Sequence, residues 1–261
     1  MHRNIEGRIK TLTIKREAGN YYAVFTTEQI INPPKINDTN PAGIDMGLNS
    51  FVALSDGTKI EKPKSAKKAE KHVAIWQRRI AKRRKGSKRR EKAKSKLQKE
   101  WEYVTNQSND FAHKLSTKLV NSGYTSFAVE DLHIQNMVKN HNLAQSIHNA
   151  SWNRFVQMLS YKAESAGMKV IKVDAANTTQ ECSNCHNIKK GKEKLTLKDR
   201  MYDCNICGLL MDRDVNASIN ILKRATAGHA GSHVQGDSVR PQKEAVVEEL
   251  KTYSASKEWN P

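Results

Sequence analysis

Two Cys-x2-Cys pairs, Cys182/Cys185 and Cys204/Cys207, stand eighteen residues apart and run straight into Gly208-Leu-Leu-Met-Asp-Arg-Asp214-Val-Asn216-Ala-Ser-Ile-Asn220. These four cysteines are the chain's full complement and lie within 26 residues, so a metal site in a reducing compartment explains them better than a disulfide framework. Each pair lets two thiolates reach one ion at about 2.3 Å, and two pairs complete the closed tetrahedron of a structural zinc site. Such a site leaves no position for water, so the expected Zn²⁺ supports folding and not catalysis. Asp214 follows the last cysteine by seven residues and opens an amphipathic helix. A structural metal that holds a catalytic acid in place is an architecture for a nuclease.

The rest of the chain supplies a sheet on which such an acid could act. Residues 7–27 read as two strands joined by Arg16-Glu-Ala-Gly-Asn20, whose Gly19-Asn20 suits a turn with positive φ. After a Pro-rich linker come three short strands, Ala-Gly-Ile-Asp45-Met-Gly, Ser50-Phe-Val-Ala-Leu-Ser and Thr58-Lys-Ile-Glu, with Asp56-Gly57 as a hairpin turn. Residues 66–85 and 88–121 carry helical stripes, Val73, Trp76 and Ile80 on one and Leu97, Trp101, Val104, Phe111 and Leu115 on the other, broken at Gly86-Ser87. They predict a helical hairpin with both tryptophans in its apolar seam. A strand ending in Glu130, a helix over 151–166 stopped at Gly167, a strand over 168–174 and a helix over 216–224 complete the pattern, and the Gly- and Ser-rich tail from Thr226 is expected to be mobile. The order β-β-β, helices, β, helix, β, helix is that of the ribonuclease H-like α/β fold, a mixed sheet with helices on its faces.

Three acids come from three different elements of this pattern. Asp45 sits mid-strand among small and apolar residues, Glu130 ends a strand that follows the helical hairpin, and Asp214 opens the helix beyond the cysteines. In this topology the Asp45 and Glu130 strands are neighbours. Converging carboxylates repel one another unless divalent cations neutralise them, and Mg²⁺ prefers a few carboxylates plus water and phosphate oxygens. Two such ions, about 4 Å apart, activate a water and steady the leaving 3′ oxygen of an in-line phosphodiester attack. Taken singly, each acid also fits a plain structural use, Asp214 as a helix cap and Glu130-Asp131 as an exposed turn. The joint placement favours catalysis. Asp131 and Asp212 flank the chosen acids, and spacing alone excludes neither.

The formal charge of +18 is concentrated. Residues 62–99 hold eighteen Lys and Arg against Glu70 and Glu91, a net sixteen of the eighteen charges. Such a run self-repels without a polyanion, so Arg78, Arg79, Lys82, Arg83, Arg84, Lys85, Lys88, Arg89 and Arg90 around the helix break are expected to contact nucleic acid. Lys189, Lys190, Lys192 and Lys194 between the cysteine pairs either meet phosphates or form a solvated rim. No apolar run approaches the roughly 18 residues of a membrane span, and the N-terminus lacks a signal-peptide core, so the expectation is a soluble cytoplasmic protein with no membrane partner.

With these residues in view the chain resembles the TnpB (OrfB) family, RNA-guided nucleases encoded by bacterial and archaeal insertion sequences. Gly43-Ile-Asp45-Met-Gly47 looks like the family's first RuvC motif, Val129-Glu130-Asp-Leu its second and Asp212-Arg-Asp214-Val-Asn216-Ala-Ser-Ile-Asn220-Ile its third, with Thr178-Thr-Gln180-x-Cys182 leading into the zinc ribbon. The resemblance implies a RuvC core over 42–177 with a basic helical hairpin at about 66–121, a ribbon over 178–208, a closing helix over 209–225, a tail over 226–261, and a wedge-domain remnant over 1–41. It implies Mg²⁺ or Mn²⁺ on Asp45, Glu130 and, of the two aspartates in the third motif, Asp214. The implied partners are DNA, a guide RNA transcribed from the element and a companion transposase. Two departures stand out. Family members carry a further N-terminal portion that grips guide and target, so this chain reads as a truncated member with impaired guidance and intact chemistry. His186 stands where the family has the Gly of a Cys-x2-Cys-Gly knuckle. The competing expectation is a truncated, non-cleaving nucleic-acid-binding protein or repressor; a ribosomal-type basic ribbon would leave Asp45 and Glu130 unexplained.

Overall fold

The computed structural model describes residues 5, 7–17, 19–30, 32–47, 50–61, 65–132, 151–196, 198–231 and 248–251. The strands are β1 (Arg8–Glu17), β2 (Asn20–Glu28), β3 (Pro41–Asp45), β4 (Ser50–Leu54), β5 (Lys59–Glu61), β6 (Ser126–Glu130), β7 (Lys169–Val173), β8 (Met201–Asp203), β9 (Leu210–Asp212) and β10 (Glu248–Lys251). The α-helices are α1 (Ser65–Ala81), α2 (Lys88–Val120), α3 (Trp152–Ser165) and α4 (Arg213–Gly231). They divide into two compact units, one of residues 1–32, 64–107 and 235–261 and the other of residues 33–63 and 108–234.

The larger unit is built on a five-stranded mixed sheet in the order β5-β4-β3-β6-β7. The first three strands form the expected antiparallel meander, and β3, β6 and β7 run parallel. Strand alternation assigns the two faces. Ala42, Ile44, Phe127 and Val129 point to one face, into a core shared with Ala112, Leu115 and Leu119 of α2 and Trp152, Phe155 and Leu159 of α3. Phe51 lies edge-on to Phe111 at 5.0 Å and to Phe155 at 5.3 Å, joining strand and helices in one aromatic contact. Gly43 and Ala128 point to the other face, where small side chains leave room for α4; Ala128, Ile221 and Ala225 form a second core there, backed by Ile171 and Val173.

The Pro-rich linker belongs to this unit from Pro33 onward. The reason is hydrogen bonding: Asp38 Oδ1 accepts from the hydroxyls of Thr125 and Ser126, each at 2.8 Å. A side chain at Gly167 (φ +78) would collide with the Pro34 carbonyl, which fixes that glycine as the stop of α3.

In the smaller unit β1 and β2 form the expected hairpin, turning at Gly19 (φ +91), and β10 adds a third strand on the free edge of β2. The tail reading is corrected at two places: α4 continues to Gly231, and Glu248–Lys251 is paired as a strand. The remainder of the tail lies outside the described residues. The helical stripe also needs a correction. Ala93 is buried, and Leu97, Glu100 and Val104 follow it as half-buried positions at spacings of four, three and four; Trp101 is one residue, about 100°, off that stripe and is 39% exposed. Glu100 faces His72 of α1 at 3.7 Å, which marks the seam.

Candidate functional site

Asp45 is the last residue of β3 and Glu130 the last of β6. The parallel register pairs Gly43 with Ala128 and Ile44 with Val129, so one step further Asp45 stands beside Glu130. Both acids share the face of Gly43 and Ala128, the face covered by α4, and both are buried, at 6% and 8% exposure. Asp214 lies in the first turn of α4, and its charge reaches Asp45. Thus two of the sequence-selected carboxylates stand side by side at the carboxyl ends of the central strands, and the third stands at the start of the helix that covers them. Spacing leaves Asp131 and Asp212 as alternatives, and the geometry separates them. Asp131 projects to the opposite face, half exposed, and pairs with Lys172 at 3.5 Å. Asp212 is the helix cap: its Oδ1 accepts from the amides of Asp214 (2.9 Å) and Val215 (3.2 Å). The capping use open to Asp214 in sequence therefore falls to Asp212, and the two oxygens of Asp214 face Arg213 and Lys59 instead.

Charge is concentrated here on both signs. Burial first, then the neighbouring carboxylates of Glu130 and Asp214, push the Asp45 carboxyl well above its ordinary range, against the pull of Arg213 and Lys59. Burial likewise raises Glu130, opposed by the hydroxyl of Thr178, which donates to Oε1, and by Arg224. Asp212 goes the other way: burial raises it, but contact with Lys59 and the two capping amides outweigh burial and hold it below its ordinary range. Lys59 of β5 contacts Asp212 and lies 3.8 Å from Asp214, while Arg213 reaches Asp214 at 3.3 Å. Sequence reasoning misses Lys59 and Arg224, which no local pattern marks, and it gives Thr178 and Arg213 no role of their own although both lie within the quoted motifs.

The donor set fits a hard divalent cation, because it offers two buried carboxylates, Asp45 and Glu130, and a third, Asp214, that a protein ammonium already approaches. Among the described residues, the group of three or more ligand-type side chains whose donor atoms all lie within 4.8 Å of one another is the four cysteines. Asp45, Glu130 and Asp214 are spaced more widely than this.

In the cysteine cluster, Cys182 Sγ is 3.6 Å from Cys207 Sγ and Cys185 Sγ is 3.5 Å from Cys204 Sγ. Each knuckle closes in the same way, with the amide of His186 donating to the Cys182 carbonyl at 3.0 Å and that of Gly208 to the Cys204 carbonyl at 2.8 Å. Both closing residues are left-handed, His186 at φ 62 and Gly208 at φ 72. His186 is held in this conformation with its ring Nδ1 2.9 Å from Glu181 Oε1. Tyr202, fully buried, packs under the cluster and donates to the carbonyls of Gln180 and Asn187.

Two buried asparagines of the third motif bolt α4 to this ribbon. Asn216 accepts from the Ser183 amide (2.9 Å) and donates to the Glu181 carbonyl (2.7 Å); Asn220 donates to the carbonyls of Thr178 (3.0 Å) and Glu181 (2.7 Å). One turn further on, Arg224 reaches Glu181 Oε2 and the carbonyls of Asp174 and Ala176. The ribbon thus sets the position of the helix that carries Asp214.

In the smaller unit the basic residues are of two kinds. Arg83 Nη1 donates to the Arg89 carbonyl (2.5 Å) and Arg90 Nη1 to the Arg83 carbonyl (2.9 Å), a reciprocal clasp across the Gly86 turn. Arg78, Arg79, Lys82, Arg84, Lys85, Lys88 and Arg89 are exposed, with Arg79 stacked 4.6 Å over Trp76. No helix among the described residues is long and apolar enough to cross a membrane.

A mixed sheet with a helix anchored by a four-cysteine ribbon is an α/β fold of the Cas12f type. The protein chain in a cryo-EM structure of a Cas12f1-sgRNA-target DNA complex superposes with a TM-score of 0.53 over 81% of this chain and 55% of that one at 16% identity; a CRISPR-Cas12f ternary complex gives 0.55 over 77% and 45%, also at 16%. These establish the fold alone. Residues 21–141 match the OrfB_IS605 family, described as "Probable transposase", and residues 152–221 match the Cas12f1-like TNB domain. A "Putative RNA-guided DNA endonuclease" of Streptomyces pristinaespiralis is 37% identical over 90% of this chain, and the "Putative RNA-guided DNA endonuclease InsQ" of Escherichia coli (strain K12) is 30% identical over 94%. The chain belongs to the OrfB (TnpB) family. It spans 56% and 64% of the length of those two relatives.

Proposed function

We propose that this chain is a metal-dependent DNA endonuclease of the TnpB type, with a RuvC-like, ribonuclease H-like centre formed by Asp45, Glu130 and Asp214. The observation that carries the reading is the burial of Asp45 beside Glu130 on the α4 face, because an uncompensated carboxylate pair there costs folding stability. A use that brings positive charge to it explains its presence. Two Mg²⁺ or Mn²⁺ ions held by these carboxylates would supply an activated water and a charge clamp for in-line cleavage of a DNA phosphodiester. The protein's own part is positioning. Thr178 orients Glu130, Asp212 frees Asp214 by taking over the cap, and the cysteine ribbon, with Zn²⁺ on Cys182, Cys185, Cys204 and Cys207, fixes α4.

The partners follow from the same reading. The exposed cations from Arg78 to Arg89 bind DNA or a guide RNA transcribed from the element, consistent with relatives named RNA-guided DNA endonucleases, and association with transposition follows from the family. The nuclease core comprises 42–177 and 209–225, with the ribbon over 178–208 inserted.

The test is Mg²⁺- or Mn²⁺-dependent cleavage of single-stranded and duplex DNA by zinc-loaded protein, with and without guide RNA, beside Asp45→Ala. Cleavage that disappears in the variant supports the centre. A folded, zinc-loaded protein that binds nucleic acid and cuts nothing under any of these conditions replaces the proposal with the repressor-like, binding-only reading.

A further inference from the structure

Lys59 is placed unlike any other cation described in the larger unit. It lies on β5, the edge strand of the sheet, and its ammonium contacts Asp212 and stands 3.8 Å from Asp214 Oδ2. The other oxygen of Asp214 faces Arg213 at 3.3 Å. Each Asp214 oxygen therefore has a protein cation beside it, but the two cations differ in freedom. Arg213 is 12% exposed and its Nη1 is tied to the Thr196 carbonyl at 2.8 Å. Lys59 is 32% exposed, on a flexible four-carbon stem, and the partners described for its ammonium are the two carboxylates. Asp212 is also two-handed: Oδ1 caps α4 and Oδ2 holds Lys59.

We propose that Lys59 is a displaceable stand-in cation: from its seat on Asp212 it neutralises Asp214 in the ion-free protein, moves away from Asp214 when a divalent ion takes that carboxylate, and thereby sets the ion concentration at which the site assembles. The inference rests on the reading of Asp45, Glu130 and Asp214 as a divalent-ion site. Its logic is competition. A univalent ammonium and a divalent ion cannot both approach one carboxylate oxygen without repelling each other, so the affinity for the ion is reduced by the interaction it must displace. What the ammonium supplies in exchange is order, since without any cation Asp214 on α4 would be repelled by Asp45 and Glu130 on the sheet face beneath it.

The measurement is calorimetric titration of Mn²⁺ into zinc-loaded, nucleic-acid-free protein for the wild type, Lys59→Gln, Lys59→Arg and Asp45→Ala, with thermal melts of each. Lys59→Gln is expected to bind Mn²⁺ about tenfold more tightly, most clearly at low salt, and Lys59→Arg within about twofold of wild type, because charge and not packing is responsible. Equal or weaker binding by a folded Lys59→Gln overturns the inference; if Asp45→Ala has at the same time lost Mn²⁺ binding, the ion site itself stands. A folded wild type that takes up no Mn²⁺ overturns both the site and the role of Lys59.

Discussion

A methyl group added at Gly43 would stand 2.0 Å from the Ser218 carbonyl oxygen and about 3 Å from the backbone and Cβ of Leu222, so α4 lies against β3 with nothing between them. Gly43→Ala is therefore expected to cost about 3 kcal/mol and to displace the helix that carries Asp214; thermal melts that match wild type would refute the contact. Two residues on, the sign of a pH effect follows from burial. An acid whose folded pKa lies above its unfolded value stabilises the protein below the unfolded value and loses that contribution as pH rises through the folded one. Asp45 and Glu130 are both raised, so the protein without added Mg²⁺ or Mn²⁺ should lose stability from about pH 4 upward. Asp45→Asn removes the larger part of this loss and should melt higher than wild type at neutral pH, by on the order of 1 kcal/mol. Added Mn²⁺ should stabilise the wild type and leave the variant unmoved. Melts of the two proteins that run parallel from pH 4 to 8 would contradict the assignment.

At the scale of elements, α4 depends on the ribbon more than on its own cap. Asn216→Ala leaves the Ser183 amide and the Glu181 carbonyl without their partner and should cost about 2–3 kcal/mol in the zinc-loaded protein, read from denaturant midpoints. Stripping zinc should release residues 181–216 first, seen as lost amide-exchange protection there, while β6 and α3, whose core contains no ribbon residue, keep theirs. Uniform protection before and after chelation would show that the ribbon is not a separate brace. The sheet is legible in the chain because its signals are local: alternation around Ile44 and Val129, the Asp56-Gly57 turn and Gly167 each announce an element over a short stretch. The cysteines are legible because four ligands at that spacing have few other uses. Lys59 is not, since its carboxylate partners belong to the third motif, beyond the helical hairpin and the ribbon, and a lysine on an edge strand looks like ordinary surface. Trp101 reads as a seam residue because its bulk outweighs a one-residue phase error in the helical stripe. The asparagines of the third motif are visible as a pattern, but only the fold reveals that they hold helix to ribbon.

Over the whole molecule, the net charge of +18 makes association with a polyanion the dominant long-range force. Replacing the exposed Arg84, Lys85, Lys88 and Arg89 by Ala should reduce the magnitude of the slope of log K against log salt for duplex DNA by up to about 4. Arg83→Ala should instead weaken the helical hairpin, because that guanidinium is spent on the turn. An unchanged slope in the fourfold variant would place the nucleic-acid contact elsewhere. The ribbon has a further consequence in time. Its four ligands are close neighbours along the chain, whereas β3 and β6 are separated in sequence by β4, β5, α1 and α2. Short-range contacts form early and long-range strand pairing late. If the four thiolates hold zinc as proposed, its capture would shape the α4 start before the sheet that α4 will cover exists, and the ribbon would then be a nucleus as well as a brace. Refolding of the sheet unit should accordingly be faster when zinc is present from the first moment than when it is added after collapse.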